Sequence, residues 1–299
     1  MTTHRIAVLM NCQAPLWADS LQALVSDVDI ACAFHVGVTV DLAGSVAAAS
    51  AAGCDTLIVV NELVTEVADE CARVGYAPET VVAVPGLYFA GFHPDLGYGF
   101  DGDERVRSPW GTDWVPRIAI GAYSLGLTLE QTLAMYSTPC FDALGYLDRW
   151  NPSSEALRVR FDETGFDFTQ WMRATKRTGV FMHGLNHPRP LAVAALAEQV
   201  CRDRLGLKPR PAHTVEGVLY DALATSVIWP VHEPVAARLG VPAVEVVKIN
   251  GRFIPWTEFV VGCYTDWSER GVSTDASVLP SLSQHELNTL VSFAGAMSL

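Results

Sequence analysis

The chain has 299 residues, half of them hydrophobic, with Lys+Arg 20 against Asp+Glu 33 for a formal net charge of −13. That length and apolar content support a substantial core, as one large domain or two small ones, and a charged fraction of 18% is not that of a disordered chain. The acidic balance argues against a general nucleic-acid or anionic-membrane binder, which needs a basic face, while leaving room for a local basic pocket drawn from Arg105, Arg107, Arg117 and Arg189.

The start, MTTHRIAVLM, lacks the long apolar core and small-residue cleavage site of a signal peptide. No apolar run is long enough to span a bilayer. Seven cysteines, an odd number without CxxC spacing, point to reduced thiols rather than a disulfide framework. The expected setting is cytoplasmic.

The N-terminal third alternates strand and helix patterns. Strands are predicted at Ile6–Met10, Asp29–Phe34, Thr56–Val60 and Val81–Val84, with helices at Leu16–Val25, Leu42–Ala52 and Glu66–Val74. Continuous apolar strands separated by helices imply a parallel sheet covered on both faces. Ligands of such sheets sit beyond the carboxyl ends of the strands. That rule singles out Asn11, Cys12, Gln13, His35, Asn61 and Glu62.

From Pro85 to Pro116 the rhythm breaks into a Gly-, Asp- and aromatic-rich stretch, which reads as a long irregular loop. Helical pieces follow between Ile118 and Trp150, and aromatics at helical spacing continue from Phe161 to Arg177. A strand is expected at Thr178–Met182, then a strong helix at Leu191–Leu205. Beyond it, HTVEGVLYDALATS reads as a helix, VEVVKING and FIPWTEFVVGCY as partly extended, and SLSQHEL as the entry to a final helix with a partial capping pattern. No linker or repeat cuts the chain. The expected organisation is a single α/β domain over 1–299, with a loop and helical insertion at 86–175.

Cys12 follows the first strand and precedes a helix, where unpaired backbone N–H groups favour an anion such as a thiolate. A small buried residue at a tight turn is the alternative, and these residues alone leave both open. A thiol attacks only when deprotonated, so an imidazole in reach is its simplest activator. His187, in MHGLNHP, is the first candidate, with Asn186 or an acid to orient the ring; an ordinary Asx-type turn is the alternative. His35 at a strand end serves a site or the core equally well. Oxyanion donors are expected from the N–H of Gln13 and the next helix turn, with the Gln13 or Asn61 amide as a further donor. HxH, HExxH and CxxC spacings are missing, so no metal is expected. No Gly-rich phosphate loop follows the first strand.

Together, Asn11-Cys12-Gln13 after a strand, VPGLYFAGFHPD at 84–95, LNHPRPLAVAALAEQV at 185–200 and WPVHEPVAARLG at 229–240 resemble the WcbI-type polysaccharide-biosynthesis enzymes. Those are bacterial acetyltransferases of capsular sugars that bind coenzyme A at a triad-like site with Cys as nucleophile. The resemblance implies that Cys12 is the site cysteine, with Gln13 beside it and His93 and His187 in the same cleft. It does not say which histidine is the base. A looser likeness to SGNH-type hydrolases, in a three-layer flavodoxin-like core, favours His187, although their Asp-x-x-His is replaced by Gly184-Leu185-Asn186-His187.

The leading expectation is therefore an O-acyltransferase that uses acetyl-CoA or another acyl-CoA on a hydroxyl of a sugar or polysaccharide precursor. Its catalytic residues would be Cys12, His187 and His93. Binding residues would be Asn11, Gln13, His35, Asn61, Phe92, Arg105, Arg107, Asn186 and Arg189, with the two loop arginines facing the coenzyme. A thiol-dependent carbohydrate esterase sharing this site, and a non-catalytic nucleotide- or carbohydrate-binding protein, are the alternatives.

Overall fold

The computed structural model describes residues 4–37, 40–274 and 282–297. In chain order the first elements are β1 (His4–Met10), α1 (Ala14–Leu24), β2 (Val28–His35), α2 (Leu42–Ala51), β3 (Thr56–Val60), α3 (Val64–Val74) and β4 (Thr80–Val84). Next come β5 (Leu96–Asp101), β6 (Glu104–Val106), β7 (Trp114–Pro116), α4 (Arg117–Ser124), α5 (Leu129–Ala134), α6 (Thr138–Ala143), α7 (Trp150–Thr164), α8 (Phe168–Thr175) and α9 (Pro190–Asp203). The last are α10 (Ala222–Ser226), β8 (Val227–Ile228), α11 (Glu233–Leu239), β9 (Val246–Ile249), β10 (Arg252–Pro255), α12 (Trp256–Glu269) and α13 (Gln284–Met297). Two compact units share the chain: Met1–Tyr88 with Glu155–Ala224, and Phe89–Ser154 with Thr225–Leu299. The segment 86–175 thus contributes to both. No helix among the described residues is long and apolar enough to cross a membrane.

The first unit is built on a parallel sheet in the order β2-β1-β3-β4. Strand β1 is central because it is apolar at every step. Ile6, Ala7, Val8 and Leu9 are fully buried, which a strand covered on both faces requires. Side-chain alternation sends Ala7 and Leu9, with Leu57 and Val59 of β3, under Val46 and Ala49 of α2 and Val67 and Cys71 of α3. Ile6, Val8 and Ile58 point to the other face. Helix α1 packs against β1, β2 and α9. Each large apolar side chain so buried contributes about 1.5–3 kcal/mol. Local signals agree with the packing: Asp41 Oδ1 caps α2 by accepting from Gly44 N at 2.6 Å. Gly75 ends α3 in the left-handed conformation that glycine adopts without strain.

The second unit carries two small antiparallel sheets, β6-β5-β7 and β10-β9-β8. The β9–β10 hairpin closes through Asn250 and Gly251, both at positive φ, a two-residue turn whose twist matches the strands it joins.

Four expectations change. The Pro85–Pro116 stretch is not one irregular loop, since it folds β5, β6 and β7. Glycines hid β5: a Cβ at Gly97 would stand 2.9 Å from Arg117 Cγ, and one at Gly99 within 3.4 Å of Ile120. Helix α4 packs on the strand through those gaps, so the apolar alternation of a half-buried strand is not written there. Thr178–Met182 is not a strand. Residues Lys176–Thr178 form a 3-10 turn, Gly179 has φ +78°, and Met182 makes one isolated bridge, to Pro188. HTVEGVLYDALATS is two 3-10 turns followed by the short α10. Finally, the entry to α13 is a complete capping box: Glu286 accepts from Ser283 N at 2.7 Å, while Ser283 Oγ accepts from Glu286 N at 3.3 Å.

Glu286 does more than cap. Its Oε1 also accepts from Arg117 at 2.6 Å and from the Tyr146 hydroxyl at 3.2 Å, both partners largely or wholly buried. Burial pushes this carboxyl up, but the Arg117 charge and the donated hydrogen bonds prevail and hold it below the usual glutamate range. Glu286→Gln leaves a buried guanidinium without its counter-charge and is expected to cost about 3–5 kcal/mol. Because the folded-state carboxyl is depressed, this stabilisation is present above the ordinary glutamate range and is lost as pH falls through it. Thermal melts from pH 7 to pH 3 should show the gap between wild type and Glu286→Gln closing on acidification.

Candidate active site

In a sheet of order β2-β1-β3-β4 the chain winds outward in opposite directions from β1 and β3. The crevice at their carboxyl ends is the natural ligand site. A cavity of about 350 Å³ lies there. Asn11 borders it after β1, Val36 after β2, Val60, Glu62 and Leu63 at the end of β3, and Gly86, Leu87 and Tyr88 after β4. Arg160 and Asn186 complete the wall. All belong to the first unit.

Cys12 directly follows Asn11 and is half-buried, one of two cysteines (with Cys32) among seven free thiols that keep appreciable exposure. Burial raises its pKa to about 11, and the backbone hydrogen bond at Cys12 offsets this only partly. The helix mouth therefore does not deliver a standing thiolate: dehydration of the sulfur outweighs the local N–H groups. Activation has to come from a base.

Gln13 is 3% exposed and every N–H it offers is engaged. Its backbone N–H donates to Asn11 Oδ1 at 3.1 Å. Its Nε2 donates to the Leu87 carbonyl at 3.3 Å and the Asn186 carbonyl at 3.0 Å. This corrects the expectation that Gln13 offers oxyanion donors, for those hydrogens tie together the loops after β1, after β4 and before α9. The Asn61 amide hydrogen-bonds none of the described residues and keeps its donors.

The 181–189 loop is a tight hairpin. His183 N donates to the His187 carbonyl at 2.7 Å and Arg189 N to the Phe181 carbonyl at 2.9 Å. Within it His183, which sequence reasoning did not select, has an acid partner. Its buried ring sets Nε2 2.7 Å from Asp221 Oδ2, and its buried Nδ1 has no hydrogen-bond partner. Burial pushes the Asp221 carboxyl up, but the His183 hydrogen bond and charge, the Ala224 N–H and Arg189 overcome this and hold it below the usual carboxylate range. An ionised Asp221 fixes the tautomer with the proton on Nε2 and the lone pair on Nδ1, the form a general base needs. The pairing spans 38 residues, so no local motif announced it.

Asn11, Cys12, Gln13, His35, Asn61, Asn186, His187 and Arg189 all fall in the first unit. His35 closes β2, and burial lowers its pKa. Arg189 is the N-cap residue of α9 and keeps a buried Nε without a partner. His93, Phe92, Arg105 and Arg107 belong to the second unit. There His93 Nδ1 lies 3.0 Å from the Pro230 carbonyl, and Phe92 packs against Phe89 and Trp150. Arg105 and Arg107 both pair with Asp113, at 3.1 and 2.8 Å. The same unit buries Asp95, whose Oδ1 accepts from Ile118 N at 2.7 Å and Oδ2 from the Tyr136 hydroxyl at 3.1 Å. Burial raises its pKa to about 6 despite the His232 charge nearby. Among the described residues no group of three or more His, Cys, Asp or Glu is placed to hold a metal ion.

A family model for the polysaccharide biosynthesis enzyme WcbI matches residues 5–210 of this chain. A solved structure of WcbI, described as a novel polysaccharide biosynthesis enzyme and as the native protein without a disulfide bond between coenzyme A and a cysteine, shares the fold. The TM-score is 0.70 at 14% sequence identity, covering 97% of this chain and 99% of that one. No curated protein matches the chain.

A thiol whose pKa lies near 11 alkylates slowly at neutral pH. Iodoacetamide labelling of Cys12, followed by peptide mass spectrometry, is expected to accelerate steadily from pH 7 to pH 10.5. A rate already at its plateau by pH 8 would show the sulfur ionised by its surroundings.

Proposed function

Because the chain belongs to the WcbI family of polysaccharide biosynthesis enzymes, we propose that it is an acyl-CoA-dependent O-acyltransferase, with acetyl-CoA the simplest donor and a hydroxyl of a sugar or polysaccharide precursor as acceptor. The observation that carries this reading is the position of Cys12, at the carboxyl end of the central strand and next in sequence to a wall of the switch-point cavity. The related structure's description, which pairs coenzyme A with a cysteine, supports coenzyme A as the co-substrate.

In this reading the Cys12 proton passes to Nδ1 of His183 as the sulfur attacks the thioester carbonyl. The coenzyme thiolate leaves and takes that proton. The acceptor hydroxyl then gives its proton to the same nitrogen while its oxygen attacks the acyl-cysteine, and the Cys12 thiolate departs and is reprotonated. Asp221 stays ionised throughout and stabilises the imidazolium. The Asn61 amide is assigned to the tetrahedral oxyanion. The base role, expected for His187, is assigned in this reading to His183 on its 2.7 Å contact with Asp221 and its unpartnered Nδ1.

Two measurements test the reading. Wild-type protein incubated with acetyl-CoA is expected to gain an acetyl mass on Cys12 and to release coenzyme A faster when a glycan acceptor is present. Cys12→Ala is expected to abolish both, whereas coenzyme release that ignores the acceptor would indicate water as acceptor and an esterase. Asp221→Asn, which keeps the shape but not the charge, should lower kcat by about 10²–10⁴-fold with coenzyme affinity retained. His187→Gln reducing kcat more than His183→Gln would return the base role to His187.

A further inference from the structure

The cavity wall has a donor–acceptor balance that selects its occupant. Glu62 borders the cavity, and its carboxylate accepts no hydrogen bond from any described residue. It lies flat against Gly86, where a Cβ would stand 2.6 Å from Oε1 and 3.0 Å from Oε2. Asn186 adds a buried Oδ1 with no partner. Asn11 has already given its Oδ1 to Gln13 N. Arg160, the lone cation among the lining residues, stacks over the Tyr88 ring at 5.5 Å and donates to the Tyr88 carbonyl at 3.4 Å. The two Glu62 oxygens are the charged acceptors left unspent in this wall, beside the donor groups of the Asn11 and Asn186 side-chain amides. Such a wall is satisfied by a ligand whose groups both donate and accept, as hydroxyls do. A phosphate or carboxylate brings only acceptors, and the same sign of charge as Glu62.

We propose that this cavity is the acceptor subsite, that it takes an uncharged polyol ring with two adjacent hydroxyls held by the Glu62 carboxylate, and that Glu62 determines specificity by turning anionic sugars away. The inference rests on the acyl-transfer reading for the word acceptor, and on the cavity alone for the chemistry of what binds. The volume of about 350 Å³ falls within the usual range of small-ligand sites, about 300–1,000 Å³. The Asn186 side chain and the stacked Tyr88 and Arg160 pair border the same cavity. Gly86 is part of the device, because the absent side chain is what lets the carboxylate lie in the wall.

The test is binding, read by saturation-transfer NMR and calorimetry on the full chain. The probes are the methyl glycosides of glucose, mannose and galactose beside the corresponding methyl uronates, which differ at C6 alone. Wild type is expected to bind at least one neutral glycoside at least tenfold more tightly than its uronate. Glu62→Gln keeps the shape and removes the charge. Gly86→Ala keeps the charge and pushes the flexible carboxylate out of place. Each should weaken the neutral glycoside about tenfold, as loss of a charged hydrogen bond does, and Glu62→Gln should bring the preference over the uronate below about threefold. Uronates bound as well as neutral glycosides, a preference unchanged in Glu62→Gln, or no glycoside bound at all would each overturn the proposal. Acetyl-CoA titrated into the same samples reports on the acyl-transfer reading separately. Absence of coenzyme binding with glycoside discrimination intact would sink that reading and leave Glu62's role standing.

Discussion

One side chain holds the candidate site together. The Gln13 amide, almost wholly buried, spends both hydrogens on backbone carbonyls 74 and 173 residues away in sequence. Leu87 and Asn186 lie in loops that Gln13 joins to the end of β1, and a buried carbonyl left unpaired costs about 1–3 kcal/mol. The contact has a consequence for chemistry as well. Hydrogen bonds of Gln13, next in sequence to Cys12, tie it to the cavity wall at Leu87 and Asn186, and a fixed constellation is what a transfer reaction between two substrates requires.

Electrostatics in the two units follow one rule, that burial raises acids and partners lower them. Cys12 and Asp95 have too few partners to offset dehydration and are raised. Asp221 and Glu286 have an imidazole or a guanidinium within 2.7 Å and are lowered. The first unit therefore contains both a protonated thiol and an ionised carboxylate–imidazole pair. Such a division favours chemistry in which the nucleophile is generated only when a base engages it.

Much of the first unit was legible in the sequence, because its physics is local and periodic. Ile6–Met10 and Thr56–Val60 are apolar at every step, the mark of strands covered on two faces, and the observed β3 matches the predicted bounds. Cys12 and Gln13 were legible as strand-end residues, and a ligand site at the carboxyl ends of the strands followed from the β-α rhythm; the strand order that makes the switch point did not. What failed to show was non-local. Strand β5 was hidden by Gly97 and Gly99, whose role is to admit α4. The 178–182 segment is apolar enough for a strand but forms one isolated bridge, from Met182 to Pro188, within a tight hairpin. His183 drew its partner from Asp221, and Gln13 its partners from Leu87 and Asn186, pairings fixed by the fold and by no spacing in the chain. Arg105 and Arg107, flagged by the charge and aromatics of their loop, are paired with Asp113.

The cavity wall also bears on how such a protein changes over generations. Asn11, Glu62, Gly86 and Asn186 come from connections and Arg160 from within α7, while the residues that hold the sheet together lie within the strands. Replacement at any of these five positions alters the cavity lining without touching a buried strand residue. Ligand preference and foldedness are thus under nearly separate control, joined at Gln13. A lineage built on this frame can change the lining of its cavity by single steps, provided that one amide is kept.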